Sequence, residues 1–262
     1  MLLCIDVGNT NTVLGVYNGK RLVANWRMTT SNNQTADEVG IFIHSLFDYS
    51  EVEADKLDAI IISSVVPNIM YSLVHGLVKY FHIQPMIVGS GMKTGVNLLM
   101  DNPREMGSDR IAKLVAAYEI YGGPAMVIDY GTATTYDVIN ENGGFVTGIT
   151  APGIQICVDA LVKSTAQLPK VEIKKPRSII VKNTIGSLQA GVVYGHIGET
   201  KYIIEQIKKE LGQPDMKIIS TGGLAKTLES TEKIFDVIDP LLTLKGLRII
   251  YEKNKKIKAG KK

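Results

Sequence analysis

With 262 residues, 45% of them hydrophobic and 21% charged, the chain is long enough for two ordinary domains and too apolar to be disordered by default. Its formal charge of +3 includes six lysines after Glu252 with no acid among them, so residues 1–252 sum to −3 and the body is not a nucleic-acid binder by charge. Cys4 and Cys157 lack any Cys-x-x-Cys or Cys/His spacing, which excludes a disulfide framework and a zinc site. No apolar run, Ala59–Pro67 included, approaches the roughly 20 residues of a membrane span. Reduced, buried cysteines in a cytoplasmic protein are expected.

Leu2–Val7 is an apolar run ending in Gly8-Asn9. It is followed by Thr12–Tyr17, the hairpin signal Asn18-Gly19 and Arg21–Met28, so three antiparallel strands open the chain. Thr35–Phe47 carries Val39, Ile43, Leu46 and Phe47 at helical spacing; Ala59–Ser63 reads as a buried strand, and Pro67 starts a helix that runs to about Phe81. Pro85–Val88 adds a strand, and Gly89–Gly95 reads as a connecting loop, because its spacing fits no dinucleotide or P-loop fingerprint.

The second half repeats the first. Ile5-Asp6-Val7-Gly8-Asn9-Thr10-Asn11-Thr12 lies over Ile128-Asp129-Tyr130-Gly131-Thr132-Ala133-Thr134-Thr135 at an offset of 123 residues. In each copy an apolar strand ends in Asp-x-Gly, hydroxyl and amide residues follow, and a second strand returns (Val13–Tyr17; Tyr136–Asn140). A third echo pairs Ile60–Ser64 with Lys217–Thr221. Long repeats mark a shared supersecondary unit, and two such α/β halves would place ligands where their loops converge. The expected domains are 1–121 and 122–252, with the lysine-rich 253–262 a solvated tail.

Each Asp-x-Gly turn is suited to phosphate. A tight hairpin aims backbone N–H groups and hydroxyls at anionic oxygens, while a carboxylate at the strand end can hold a hydrated Mg²⁺. The first turn offers Asp6, Val7, Gly8, Asn9, Thr10, Asn11, Thr12 and Val13, with Asp6 as the Mg²⁺ acid; the second offers Asp129 and Thr132. Thr221-Gly222-Gly223 follows a strand and precedes a helical stretch from Leu224, where Gly222 and Gly223 would let a base or ribose lie against backbone. Two phosphate turns and a Gly-Gly turn suggest an ATP site.

These residues resemble those of the type III pantothenate kinases, within the superfamily of actin, hexokinase and the heat-shock ATPases, over nearly the whole length. Asp6-Val7-Gly8-Asn9-Thr10 resembles the family's first phosphate motif and Asp129–Thr135 its second. Pro103–Arg110 resembles its Gly-x-Asp-Arg substrate motif, and Asn183-Thr184 and Thr221-Gly222-Gly223 continue the series. The resemblance implies an α/β fold of two duplicated ribonuclease-H-like, actin-like ATPase domains facing a nucleotide cleft, and phosphorylation of pantothenate by ATP. It also implies Asp109 as the base, with Gly107, Ser108, Asp109, Arg110 and Thr184 against pantothenate. Asp129 would hold a monovalent cation, K⁺ or NH₄⁺, at a homodimer interface. Taken alone, Asp109 could as readily be an acid stabilising a helix N-terminus, and Thr184–Leu211 could be a core helix as well as a dimer element.

The chain departs from the family's usual residues at Met100 (commonly Tyr), Ser108 (Ala), Tyr130 (Phe) and Thr147 (Gly). Two other readings use the same turns: a superfamily kinase or phosphatase with another substrate, which would not need Gly107-x-Asp109-Arg110, and a non-catalytic regulator, which would not need Asp6, Asp109 and Asp129 together.

Overall fold

The computed structural model describes residues 1–50, 52–229 and 233–259, with side chains through Lys255. Two compact units emerge. The first comprises Met1–Asn97, Asp101–Ala116 and the chain from Leu242; the second comprises Leu98–Met100 and Ala117–Leu241.

The first unit opens with β1 (Leu2–Val7), β2 (Asn11–Asn18) and β3 (Arg21–Thr29) as an antiparallel meander. Helix α1 (Ala36–Asp48) starts at a capping box. The Thr35 hydroxyl accepts from the Glu38 N–H, and the Glu38 carboxylate accepts from the Thr35 N–H at 2.7 Å. β4 (Ala59–Ser64) is parallel to β1, α2 (Met70–Phe81) follows a 3₁₀ turn begun by Pro67, and β5 (Met86–Ile87) completes the sheet order β3-β2-β1-β4-β5. The side chains of Leu3, Ile5, Leu14, Ile60 and Ile62 meet Ile43, Phe47, Leu73 and Leu77 of the two helices in the core. β6 (Asn97–Leu98) and α3 (Ser108–Tyr121) lead into the second unit.

There β7 (Ala125–Tyr130), β8 (Ala133–Ile139) and β9 (Gly144–Pro152) repeat the meander. α4 (Ile154–Lys163) and the 28-residue α5 (Thr184–Leu211) pack together, and β10 (Lys217–Gly222) lies parallel to β7. After α6 (Ala225–Leu228), β11 (Val237–Ile238) closes the order β11-β10-β7-β8-β9-β6. Inside the added edge strand β6, this is the first sheet over again. β9 lies 123 residues beyond β3, as β7 does beyond β1.

The chain returns to the first unit in α7 (Leu242–Ala259), which lies against β1, β2 and β4. Two sequence expectations change here. The second domain does not reach residue 252, and the helix runs on into the lysines set apart as a tail. Asn254 is buried, its amide donating to the Lys93 carbonyl at 2.9 Å and its carbonyl accepting from the Lys93 N–H at 3.0 Å. Apolar Leu242, Leu244, Leu247 and Ile250 face inward while Lys255 is exposed, a stripe that a lysine-rich composition conceals. Residues 260–262 of the expected tail lie outside the described residues. No described helix is long and apolar enough to cross a membrane.

Candidate active site

In the first unit, the turn between β1 and β2 closes with the Gly8 N–H donating to the Asn11 carbonyl at 3.0 Å, leaving Asn9, Thr10 and Asn11 exposed at the tip. Thr12 does not share that exposure. Its hydroxyl lies 2.9 Å from that of Thr30, which donates to the Gly8 carbonyl at 2.7 Å, while the Thr30 N–H donates to the Thr10 carbonyl at 3.1 Å. Thr30, which no motif marked, is the brace of the turn.

Asp6 stands opposite Val13 on β2 and Ser63 on β4. Directly opposed residues on paired strands point to one face. The Ser63 hydroxyl lies 2.9 Å from that of Ser108, the first residue of α3; the Ser108 oxygen also accepts from the Ser64 N–H at 3.0 Å. The start of α3 is thereby tied to the end of β4, beside the strand that ends in Asp6. The hydroxyl of Ser108 is engaged in that tie.

Asp109 sits one residue further, in the first turn of α3. Lys113 Nζ donates to its Oδ2 at 2.6 Å, and the two side chains are 6% and 23% exposed. Burial pushes the Asp109 carboxyl up, but the Lys113 ammonium, together with the Arg110 N–H and guanidinium, outweighs it and holds the group below its ordinary range. The carboxylate is therefore charged at neutral pH.

In the second unit, the turn between β7 and β8 closes with the Gly131 N–H donating to the Ala133 carbonyl at 3.1 Å, one residue tighter than the first turn, where Gly8 reaches Asn11. Asp129 stands between Thr135 on β8 and Thr221 on β10. The buried Thr135 hydroxyl oxygen has no hydrogen-bond partner in the protein. Gly222 adopts φ +92°, and a Cβ there would lie 2.5 Å from the Tyr130 carbonyl and 2.7 Å from Asp129 Oδ1. Gly153, before α4, backs the turn so closely that a Cβ would overlap the Thr132 carbonyl. Asn183 caps α5, its side chain accepting from the Gly186 N–H at 2.7 Å, and Thr184 is exposed at that helix's first position. Tyr130, where Phe is usual in the resembled family, is buried with its hydroxyl 2.7 Å from that of Thr200. Met100 is half-buried and groups with the second unit.

Asp6–Val13 and Gly107–Arg110 thus belong to the first unit, and Asp129, Thr132, Thr184, Gly222 and Gly223 to the second. Within the first unit Asp6 and the start of α3 flank Ser63, and within the second Gly222 and Gly153 close on the Asp129–Thr132 turn, while Thr184 begins α5. Thr30 and Lys113 are additions that no motif marked; Ser63 and Thr135 lie within the repeated segments without a role of their own there, and Gly153, in Pro152-Gly153 before an apolar helix, carries a turn signal.

Comparison with known proteins agrees with the resemblance. Residues 2–206 match the family model of the type III pantothenate kinases. A type III pantothenate kinase of Agathobacter rectalis is 52% identical over 253 residues, covering 97% of both chains. Among solved structures, a candidate Baf family transcriptional activator from Campylobacter jejuni superimposes with a TM-score of 0.59 at 21% identity, covering 97% of this chain and 99% of that one. The ethanolamine utilization protein EutJ of Carboxydothermus hydrogenoformans gives a TM-score of 0.56 at 15% identity, covering 95% and 89%. At such identities these two establish the fold alone, two duplicated α/β units.

Proposed function

The chain belongs to the type III pantothenate kinases and phosphorylates pantothenate with ATP to 4′-phosphopantothenate, the entry step to coenzyme A; from that premise we propose that Asp109 is its catalytic carboxylate and that the two Asp-x-Gly turns hold the phosphates. The observation that carries this reading is the Ser63–Ser108 hydroxyl pair, which fastens the helix bearing Asp109 next to the strand that ends in Asp6.

Phosphoryl transfer needs a positioned nucleophile, held phosphates and stabilised charge. Asp109 accepts a hydrogen bond from the pantothenate hydroxyl, orients its oxygen at the γ-phosphorus and receives its proton as the new P–O bond forms and ADP departs. In the first unit the backbone N–H groups of Gly8–Asn11 are suited to phosphate oxygens of ATP, and in the second those of Gly131–Thr132, with Gly222 and Gly223, are suited likewise. In the first unit the Arg110 guanidinium is suited to the pantothenate carboxylate, and in the second Thr184 offers an exposed hydroxyl.

The described residues contain no group of three or more His, Cys, Asp or Glu able to hold a metal. Asp6, on β1 beside the first turn, would hold a Mg²⁺ through water. When bound, it supplies charge neutralisation between the phosphates. A monovalent cation beside Asp129 fits the unpartnered, buried Thr135 oxygen directly opposite, an oxygen donor of the kind K⁺ or NH₄⁺ accepts. A homodimer fits the outer face of α5, where Ser187, Gly191, Gly195, Gly198 and Tyr202 form one exposed stripe. We place the enzyme in the cytoplasm, where ATP is abundant.

Pantothenate-dependent ADP release, measured with MgATP with and without K⁺ or NH₄⁺, tests the reading. Release should need the monovalent cation and should fall at least a hundredfold in Asp109→Asn while that protein remains folded at neutral pH. A folded Asp109→Asn protein with near wild-type turnover would remove Asp109 from the mechanism.

A further inference from the structure

Lysine is rarely buried, because its flexible stem ordinarily carries the ammonium out to water. Lys113 does not do this. It is 5% exposed, within a stretch of α3 where Ala112, Leu114, Val115, Ala116 and Ala117 are all fully buried, and its Nζ is directed back one turn to Asp109 Oδ2. An exposed ion pair at this spacing contributes little to helix stability, which gives no reason to bury a cation. A buried pair has a different consequence: each partner fixes the other. The second oxygen, Asp109 Oδ1, turns over Gly107, so close that a Cβ on Gly107 would lie 2.6 Å from it. One oxygen is thus occupied by the ammonium, and the other faces the glycine of the substrate motif.

We propose that Lys113 is a positioning residue for phosphoryl transfer: it selects the Asp109 oxygen presented to the acceptor hydroxyl and keeps that carboxylate charged. This rests on the reading of Asp109 as the catalytic carboxylate. The role is electrostatic and angular, since Lys113 acts only through Asp109. Other charged groups on the elements packed here are Arg110 on α3, Asp6 beside Ser63 on β1, and Lys245 and Arg248 on α7, which meets α3 where Gly246 abuts Ala112. The facing end of β4 and the following residue, Ser63, Ser64 and Val65, carry no charge. Lys113 and Arg110 therefore supply the positive field at Asp109, Lys113 by direct contact.

Lys113→Met keeps the stem and removes the charge; Lys113→Gln keeps a donor and removes the charge. Both are compared with wild type and with Asp109→Asn for kcat and KM across pH. The expected result is a kcat lowered about tenfold to a hundredfold with KM for ATP unchanged. The acid limb of the pantothenate profile should move to higher pH in both variants, with a smaller loss of kcat in Lys113→Gln. In the Asp109→Asn background, Lys113→Met should change the residual rate less than twofold, because the residue it acts through is gone. An unmoved acid limb in whichever variant folds, or equal rate losses in the wild-type and Asp109→Asn backgrounds, overturns the proposal. Should Asp109→Asn itself retain activity, the catalytic reading fails instead, so the two failures are told apart.

Discussion

The Ser63 and Ser108 hydroxyls lie 2.9 Å apart although 45 residues separate them in the chain. Ser63 is fully buried, so replacing Ser108 removes the partner of a hydroxyl that water cannot reach. Ser108→Ala is expected to destabilise the protein by about 1–2 kcal/mol, seen as a drop in Tm of a few degrees. Because the same bond sets where α3 begins, KM for pantothenate should rise several-fold. An unchanged Tm would show that the tie carries no energy.

Gly222→Ala places a methyl group 2.5 Å from the Tyr130 carbonyl and 2.7 Å from Asp129 Oδ1, at a φ of +92° that an L side chain resists. Strain of this kind costs roughly 1–3 kcal/mol. Urea unfolding should record that loss, and ATP affinity should fall because the displaced groups include Asp129. Unfolding at the wild-type midpoint would contradict the close approach.

Thr135→Val separates stability from cation binding. The buried Thr135 oxygen has no protein partner, so an isosteric apolar side chain should leave stability equal or higher by about 1 kcal/mol. The K⁺ concentration giving half-maximal activity should rise about tenfold. Titrations of ADP release against K⁺, read beside thermal melts, check the two opposite signs; an unchanged K⁺ requirement would remove Thr135 from the cation site.

Gly195 tests the dimer. A Cβ there meets nothing within 4 Å, and the residue lies on the exposed face of α5. Gly195→Trp should therefore leave the circular dichroism unchanged while shifting the sedimentation coefficient from dimer to monomer. A dimer of undiminished affinity would place the interface elsewhere.

How much of this was legible in the sequence differs by the range of the interaction. The Asp-x-Gly copies and Thr184–Leu211 could be read directly, since strand endings and helical periodicity are local signals. The match of β9 to β3 at the same offset leaves little sequence signal, because only Gly144, Phe145 and two other residues of β9 are sheltered and its alternation is weak. Thr30 carries no motif, and the repeats that contain Ser63 and Thr135 give them no role; each matters through a neighbour brought to it by the sheet register. Lys113 was concealed because a lysine four residues after an acid on a helix ordinarily describes a solvated face, and only its burial tells otherwise.

The depressed Asp109 carboxyl also makes a pH prediction whose sign can be worked out. Its folded-state value lies below the value of about 3.9 expected for an unfolded chain. Folding therefore favours the ionised form, and the stabilisation is fully present above the unfolded value and disappears as pH falls through the folded one. Asp109→Asn cannot titrate. Measured by urea unfolding between pH 6 and pH 3, wild-type stability should fall relative to that of Asp109→Asn as the solution is acidified, whatever the offset between them at neutral pH. Removing the ammonium as well should weaken the effect, since Lys113 is its main favourable cause: Lys113→Met should lose less stability over the same interval. Parallel curves for the wild type and Asp109→Asn would mean that the carboxyl titrates alike in both states and that the ion pair contributes no preference for the charged form.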